Sequence, residues 1–489
     1  FKQKTAYEML RSLVGSEMCI RDRAYMEHDL FLWVKTSAVP EALRKEVADT
    51  FRGLMTMGNP SGREQAESSI AQMQKFFNEL SDLSAAISLD ARRGLLLSFF
   101  LRASEGTDLA AMMAAARPAD GPLLVGLPDE PVVLAVGARA SLTPQAEQQM
   151  RENALGTIRS LDAADGDPII PEETLNTIVD AYVKLASGAE QVAVSVSGLP
   201  GASRPAAQDA PATATEEAGH GLLAVTAVVK VKDSAAWRDQ ARKLFDAGKE
   251  VLGLVIAKQM GGEKSGAETA EGKSPKDVLG AVQWREKAEE IGGASVDHLL
   301  IDLARIPEID ADSAREIKAV IGREGVLVRV GVVNEHMVAI CFGGGPERFA
   351  TVAGLAARGE APLAGHKDLA KVAGRLPAAN RTAEGYLNVD HLLKTIVTVA
   401  AQVGSPMPFP LIMQNAAPVA FVASQVSPVS QQVDVLVPIE LAVSVSDMIK
   451  PIVGMMMMGG MGGQTQEMPG ESGPGMPEIA PSPDDDGNN

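Results

Sequence analysis

Hydrophobic and polar positions alternate most regularly in residues 324–357. Every second residue is valine across 326–332, a period of two that is typical of a β-strand. Residues 337–342 return as a second apolar strand after a short polar turn. A glycine run at 343–345 and then Pro346 predict that the chain leaves the sheet and starts a helix. The predicted unit is therefore strand, strand, helix.

The same succession is predicted at residues 83–116, 191–246 and 418–453. Two strand-helix openings also share a pattern, LFLWVKTSAVPEAL at 30–43 and GYLNVDHLLKTI at 385–396. We interpret these stretches as degenerate repeated modules of antiparallel β-hairpin plus helix. Because successive hairpins favour antiparallel sheets with helices packed on one face, the expected fold class is α+β.

The length of the chain, 489 residues, predicts two or three domains, since single hydrophobic cores stop growing at roughly 250 to 300 residues. Pattern and composition place the boundaries as follows. We expect a non-native leader at 1–23, a first α+β module at 24–165, a second at 166–380 with mobile inserts at 200–219 and 261–276, a partial third at 381–453, and a disordered acidic tail rich in Met, Gly and Pro at 454–489.

Residues 1–23 resemble a translated sequencing adapter joined to the start of a gene, and they are excluded from the fold prediction. The sequence therefore leaves open whether the intact protein carries a signal peptide or a lipid anchor. No apolar window is long enough to predict a transmembrane segment in the visible sequence.

The net charge of −18 argues against a nucleic-acid partner, because an acidic surface repels phosphate backbones. Cysteines are too few for a disulfide framework: only Cys19 and Cys341 are present. Cys341 lies among apolar residues in a predicted strand, which indicates a buried, inert thiol. Ser195 and Ser197 alternate with valines, as on a half-exposed strand.

Two local patterns could be taken for functional sites. The segment FGGGPERF at 342–349 lacks the glycine spacing and the lysine of a phosphate-binding loop, so we interpret it as a turn. The pentapeptide VDHLL occurs at 296–300 and again at 389–393. Each copy holds an Asp-His pair that could orient an imidazole for acid-base chemistry, although neighbouring residues of a strand face opposite ways.

The six histidines show no spacing typical of metal ligands, and the methionines at 455–458 lack a nearby histidine. We therefore predict no catalytic residue, no cofactor-binding residue, no cofactor and no metal ligand. If distant residues do assemble a site, the candidates are His336, Asp297 with His298, and Asp390 with His391.

The run EAPLAGHKDLAKVAGRLPAANRTAEGYLNVDHLLKTI at 360–396, preceded by the hairpin VLVRVGVVNEHMVAICFGG, resembles a pattern in large uncharacterised bacterial proteins, best known from planctomycete-type genomes. In that family a helix with a leucine-proline stop precedes a strand of the YLNVD type. The resemblance implies export to the periplasm or cell envelope. It implies no catalytic residue, since the family has no assigned activity.

The leading functional hypothesis is a non-enzymatic, exported or envelope-associated binding or scaffold protein, with an unknown protein or an apolar ligand as its partner. One alternative is a hydrolase whose site is assembled between modules from Asp, His and Ser residues distant in sequence. Another is a carrier of lipid or another apolar ligand, which requires an apolar cavity between sheet and helices.

Overall fold

A computed structural model describes residues 28–461, apart from 57–62, 164–168, 199–220, 262–278, 307–308, 323–324, 403–412 and 414–415. Its strands form one thirteen-stranded sheet in the order β1-β2-β3-β13-β12-β11-β4-β5-β6-β10-β9-β8-β7, and every neighbouring pair is antiparallel. The strands are β1 (Leu30–Lys35), β2 (Leu80–Asp90), β3 (Gly94–Ala103), β4 (Val132–Arg139), β5 (Ala189–Gly198), β6 (Leu223–Val231), β7 (Val282–Ile291), β8 (Ala294–Ile301), β9 (Val326–Asn334), β10 (Met337–Phe342), β11 (Arg381–Leu387), β12 (Val419–Ser427) and β13 (Ser430–Pro438).

Helices lie between most of the hairpins, so the predicted α+β class and its antiparallel sheet are confirmed. The α-helices are α1 (Glu41–Thr56), α2 (Arg63–Glu79), α3 (Asp108–Ala115), α4 (Pro144–Ala163), α5 (Glu172–Gly188), α6 (Ser234–Gly261), α7 (Ala311–Ile321), α8 (Gly345–Arg358), α9 (Lys367–Ala373), α10 (Val389–Gln402) and α11 (Ile439–Met461). Within the described residues, none of the helices combines the length and apolar character that a membrane span needs.

The predicted hairpins form as antiparallel pairs. The opening pattern at 326–342 becomes β9 and β10, joined by a tight turn. The pairs β2 with β3, β5 with β6, β7 with β8, and β12 with β13 are antiparallel as well. Strands from all three predicted modules join the same sheet, which therefore continues across the predicted module boundaries.

The expectation that helices pack on one face of the sheet is wrong. On one side, which we call the α8 face, Phe349 of α8 packs with Ala339 and Cys341 of β10. On the opposite side, Trp237 of α6 packs against Val338 of the same strand. Residues 338 and 339 point to opposite sides, and both are fully buried. The central strands carry apolar residues at both odd and even positions, so helices or loops must cover both faces of the sheet.

The apolar runs at 123–127 and 132–136 predict two paired strands, and for 123–127 this prediction is wrong. This stretch forms turns that lie on the sheet, with Leu124 and Leu127 fully buried in the largest apolar cluster. Gly126 has a φ of 79°, a conformation that a strand does not use. Prolines at both ends of the stretch also oppose ladder pairing.

Several predicted segments lie outside the described residues: the leader at 1–23, the insert at 200–219, nearly all of the insert at 261–276, and the tail from 462. One end point differs from the prediction. Helix α11 reaches Met461 instead of ending at Val453. Methionine is a good helix former, so the run at 455–458 can prolong the helix.

Gly331 of β9 provides a test of the close packing under α8. A Cβ atom at this position would overlap the ring of Phe349, which is fully buried. We expect Gly331→Ala to lower the free energy of unfolding by about 1 to 3 kcal/mol, because the ring must move within a packed core. Urea denaturation measures this change.

Gly248→Ala is the matched control, since nothing lies within 4 Å of the added methyl group and the residue is in α6. It should raise stability, by up to about 1 kcal/mol, through helix propensity. Equal effects of the two substitutions would contradict the described packing.

Candidate functional site

The α8 face carries a cleft of about 690 Å³ at one end of the central strands. Its apolar floor includes Ala193 of β5 and Val228 of β6. The walls include Ala356 near the end of α8 and Val125 from the loop of residues 116–131, which we call the covering loop. This volume is within the usual range for small-molecule sites, where an apolar floor and a few polar groups are typical.

The pairing register of four strands aligns the side chains that form one wall of the cleft. Arg139 pairs with Gln191, Gln191 with Lys230, and Lys230 with Met337, so four adjacent strands place these side chains in one row. The Gln191 amide donates hydrogen bonds to the carbonyls of residues 122 and 123, at 3.0 and 3.1 Å. These bonds hold the covering loop against the sheet, and that loop forms part of the cleft wall.

More basic than acidic side chains line the cleft, although the whole chain has a net charge of −18. The cations are Arg139, Lys230 and Arg358, and the carboxylates are Asp120 and Glu335. Arg139 lies 2.8 Å from Asp120, and this hydrogen bond, with the guanidinium charge, lowers the pKa of the Asp120 carboxyl. The Asp120 side chain is 92% exposed, so water or a ligand can replace it as a partner of Arg139.

His336, a candidate from the sequence, lies in the β9–β10 turn and lines this cleft. Its Nδ1 lies 3.1 Å from the carbonyl oxygen of Lys232. Because a carbonyl only accepts, Nδ1 is the donor in this bond. His336 is therefore a polar group of the cleft wall.

Behind the cleft, on the same face, a polar row crosses five strands. Ser195 pairs with Thr226, Thr226 with Cys341, Cys341 with Arg329, and Arg329 with His298. The first four are at most 1% exposed. The interpretation of Ser195 and Ser197 as half exposed is therefore wrong, since both are at most 1% exposed. Arg348 of α8 and Glu130 of the covering loop contact Ser197.

The strongest polar contact near this row joins Arg348 of α8 to Glu130 of the covering loop. The guanidinium makes two parallel hydrogen bonds to the carboxylate, one of them 2.7 Å long between Nη1 and Oε2. Arg348 Nε donates to Thr226 at 3.1 Å, and Ser197 donates to Glu130. The side chains of Arg348 and Glu130 are only 7% and 18% exposed. Two strands, the loop and the helix thus meet at one ion pair.

The glycine run makes this arrangement possible and is a turn, in agreement with its interpretation from sequence. All three glycines have positive φ, between 68° and 74°. A Cβ at Gly343 would overlap the carbonyl oxygen of Leu223, and one at Gly344 would overlap the side chain of Arg348. The run therefore brings the start of α8 close to β6 and leaves room for the Arg348 side chain.

Cys341 lies in this row as a neutral thiol. Burial raises its pKa to about 12, and the nearby charge of Arg348 opposes that shift only in part. The hydroxyl of Ser195 has no hydrogen-bond partner within the described part of the chain. Since a thiolate is the nucleophilic form, Cys341 is chemically inert at neutral pH.

At the far end of the row, Glu289 of β7 lies 3.2 Å from both Arg329 Nε and His298 Nε2. The His298 contact is close, although its nitrogen lacks hydrogen-bond geometry. Partial burial favours the protonated carboxyl, but the hydrogen bond and charge of Arg329 outweigh it, so the pKa of Glu289 is lowered. The cluster neutralises the nearly inaccessible Arg329.

The first Asp-His pair is divided between the two faces of β8. Asp297 is 1% exposed and accepts from the Lys287 backbone at 2.8 Å and from Trp284 Nε1 at 3.3 Å. His298 belongs to the polar row on the α8 face. The two side chains cannot act together, as expected for adjacent strand residues.

The second pair lies in the first turn of α10. Lys394 donates to Asp390 at 2.6 Å, while the His391 ring is 4.0 Å from Asp368. Burial lowers the pKa of His391, against the opposing charge of Asp390. His366 Nδ1 lies 4.0 Å from the same oxygen of Asp368, Oδ2. These contacts are too long for metal coordination, which requires roughly 2 Å.

The structure therefore does not combine the sequence candidates into one centre. Within the described ranges, no group of three His, Cys, Asp or Glu residues could hold a metal ion. The residues that do converge, Glu130 and Arg348, were missed by the sequence analysis. They are 218 positions apart, and no spacing pattern links them.

Comparisons with known proteins give no assignment: the chain matches no family model, no curated protein and no solved structure.

Removing Arg348 should leave the Glu130 carboxylate buried without its cation. We expect Arg348→Met to lower the free energy of unfolding by about 3 to 5 kcal/mol, as is usual when one partner of a buried pair is lost. The double substitution Arg348→Met with Glu130→Gln should recover part of that loss. Chemical denaturation of the four proteins in the double-mutant cycle measures the coupling.

Arg358→Met is the matched control, because Arg358 also forms a bidentate pair, with Glu360, but both side chains are more than half exposed. Little change in stability is expected there. If Arg348→Met were as mild, the buried pair would not hold the loop and helix together.

Cys341 offers a pH test. In a Cys19→Ser background, the native thiol should resist iodoacetamide at pH 8 and react only after denaturation. Its pKa is raised to about 12 in the folded protein, so its contribution to stability is complete below the unfolded thiol pKa, about 8.5, and declines as pH rises towards 12.

The protein with Cys341→Ala should lack that decline, so its stability relative to the parent should improve between pH 9 and 11. Unfolding free energies across this pH interval measure the difference. Fast alkylation of the native thiol at pH 8 would contradict the described burial.

Proposed function

We propose that this chain is a non-enzymatic binding protein of the cell envelope and that the cleft on the α8 face is its ligand site. The proposed ligand has an apolar body and an acidic group. The observation that carries the proposal is the cleft itself, with its apolar floor and an excess of basic side chains in an acidic chain. The location in the cell envelope is part of this proposal and is supported by the sequence resemblance, which implies export.

The cleft geometry suggests how such a ligand would bind. Its apolar body would cover Ala193 and Val228, and its acidic group would approach Arg139 and Lys230. Both cations have weak carboxylate partners: Asp120, beside Arg139, is almost fully exposed, and Glu190 lies 3.9 Å from Lys230. Arg139 also donates to the carbonyl of Pro118 at 3.2 Å. Exposed pairs contribute little to stability, so exchange with a ligand carboxylate costs little.

The buried polar groups favour a non-catalytic role. Glu130 is bound to Arg348, and Glu384 is bound to Arg381 at 2.7 Å, each inside the fold. The Tyr386 hydroxyl donates to Glu384 at 3.2 Å, and burial raises the pKa of Tyr386. These side chains form hydrogen-bond networks inside the fold, because each is bonded to a neighbouring side chain and is not directed into a cleft.

We also propose that the sheet is built from repeated units, each a strand, one or two helices, a hairpin and a following helix. The strand order supports four such blocks, β1-β2-β3, β13-β12-β11, β4-β5-β6 and β10-β9-β8, with β7 added at one end. Superposition of the four blocks tests this proposal. The proposal fails if the strands and following helices of the four blocks do not superpose with the same order and direction.

Binding to the cleft can be tested with 1-anilinonaphthalene-8-sulfonate, which has an apolar body and one anionic group. Its fluorescence should increase on binding to the folded protein. Ala357 is exposed in the cleft wall, so Ala357→Trp should block the floor and weaken binding by about tenfold or more. Arg139→Glu should weaken it as well, through loss of the cation.

Ala114→Trp is the matched control, since Ala114 is an exposed helical alanine outside the cleft. It should leave binding unchanged. The proposal fails if Ala357→Trp and Ala114→Trp bind the dye equally, because the dye would then be held elsewhere.

A further inference from the structure

A second groove, of about 840 Å³, lies between α1, α2 and the β1–β2 end of the sheet, and we call it the α1–α2 groove. Its floor includes Val34 of β1 and Leu83 of β2, which pair across the two strands. The register of the neighbouring strands places this floor on the side of Val192 and Val229, which pack with Trp237 of α6. The groove therefore lies on the opposite face of the sheet from the α8-face cleft.

Apolar side chains from the helices cover the inside of this groove. They are Val39 just before α1, Leu43 of α1, and Met73 and Phe77 of α2. Leu43 is 49% exposed, so a ligand can reach the lining from solvent. The inner end is fixed by Thr36, which is buried and donates to the carbonyl of Ser81 at 3.1 Å. An apolar groove of this volume with a fixed floor is typical of a small-molecule site.

Apolar residues continue from the groove along the same side of the sheet. Leu30 and Leu32 are on the side of Val34, because alternate strand residues share a face, and each is 60% exposed. Leu30 pairs with Ile87 of β2, which pairs in turn with Leu97 of β3. Since each residue adds about 3.3 Å along a strand, this strip extends the apolar surface by about 13 Å. A long apolar surface of this kind suits an extended alkyl chain.

Two neighbouring residues of α1, Arg44 and Lys45, bring positive charge to the groove. Arg44 Nε donates to the carbonyl of Val39, and Nη1 donates to Asn78 Oδ1, both at 3.0 Å. Both acceptors are neutral, and among the described residues neither Arg44 nor Lys45 forms an ion pair. Arg44 is thus held in place with its charge uncompensated, and its Nη2 group can donate to a ligand.

The carboxylates that line the groove do not neutralise these two cations. Asp49 is paired with Arg52, also of α1. Glu41 lies in the first turn of α1, where the positive end of the helix dipole favours a negative charge. Three cations and two carboxylates therefore line the groove, in a chain whose net charge is −18. An anionic group on the ligand would complement this excess.

We propose that the α1–α2 groove binds a free long-chain fatty acid, with the carboxylate beside Arg44 and Lys45 and the alkyl chain on the apolar floor. A guanidinium and an ammonium side by side can both donate charge-assisted hydrogen bonds to one carboxylate. The chain would cover Leu43 and Phe77 and continue along the strip towards Leu30. This site is separate from the α8-face cleft, so the inference does not depend on the proposed function.

Oleate, kept below its micellar concentration, and oleyl alcohol test the site, because they share an alkyl chain and differ in the charged group. Titration calorimetry on the full chain should show that oleate binds about tenfold or more tightly than oleyl alcohol. Lys45→Gln should weaken binding of oleate and leave that of oleyl alcohol unchanged, since it removes a cation that no described residue uses. Lys243→Gln, at an exposed position of α6 outside the groove, is the matched control and should change neither.

Leu43→Glu tests the apolar part of the groove. It places a carboxylate where the alkyl chain should lie, so it should weaken binding of both ligands by about tenfold or more. Val443→Glu is its matched control, because Val443 is 52% exposed on α11 and lies outside the groove. This variant should bind both ligands as the parent does.

Ala357→Trp, which blocks the α8-face cleft, separates the two sites and should keep the parent affinity for oleate. Loss of oleate binding in Ala357→Trp would place the fatty acid in the α8-face cleft and overturn this proposal without contradicting the other. Equal affinities of Leu43→Glu and Val443→Glu for oleate would also overturn it, as would equal affinities of the parent for oleate and oleyl alcohol. A parent chain that binds neither ligand would show that the groove has a different kind of occupant.

Discussion

The ion pair between Glu130 and Arg348 fixes the part of the molecule on which the cleft depends. It joins the covering loop to α8, and its hydrogen bonds to Ser197 and Thr226 attach both to the sheet. Removing two charges from water is costly, so a buried pair adds little net stability compared with apolar side chains. The pair instead fixes the positions of the covering loop and α8, because displacing either one would leave a buried charge without a partner.

The thirteen strands form a sheet whose centre is covered on both faces, by α8 on one side and α6 on the other. Small aliphatic residues dominate these layers, and the polar row is buried beneath the α8 side. Burying a charged side chain is costly unless it is paired, which explains why Arg329 and Arg348 each have a carboxylate beside them. The sheet therefore combines an apolar core with a few fixed polar contacts.

Local patterns predicted much of the fold and little of the site. The period of two in 326–342 predicted β9 and β10, because strand pairing there is local and the turn is short. The apolar run of β6 did not predict that Val228 would be buried on the α8 side and Val229 on the α6 side. Burial on both sides depends on helices that are distant in sequence. The same reason explains the error at Ser195 and Ser197, since the contacts of Ser197 come from Glu130 and Arg348, which are distant in sequence. No sequence pattern joins residues that only the folded sheet brings together.

The ion pairs on the α8 face are of two kinds, and the difference is one of solvent access. Glu130 and Arg348 are shielded, so neither can change partner without a large desolvation cost. Asp120 and Arg139, at the cleft, are held at a similar distance but with the carboxylate almost fully in water. Solvent screening makes that contact weak and replaceable. The buried pair thus fixes the loop while the exposed pair leaves a cation free to exchange its carboxylate, which is the combination a pre-formed binding cleft needs.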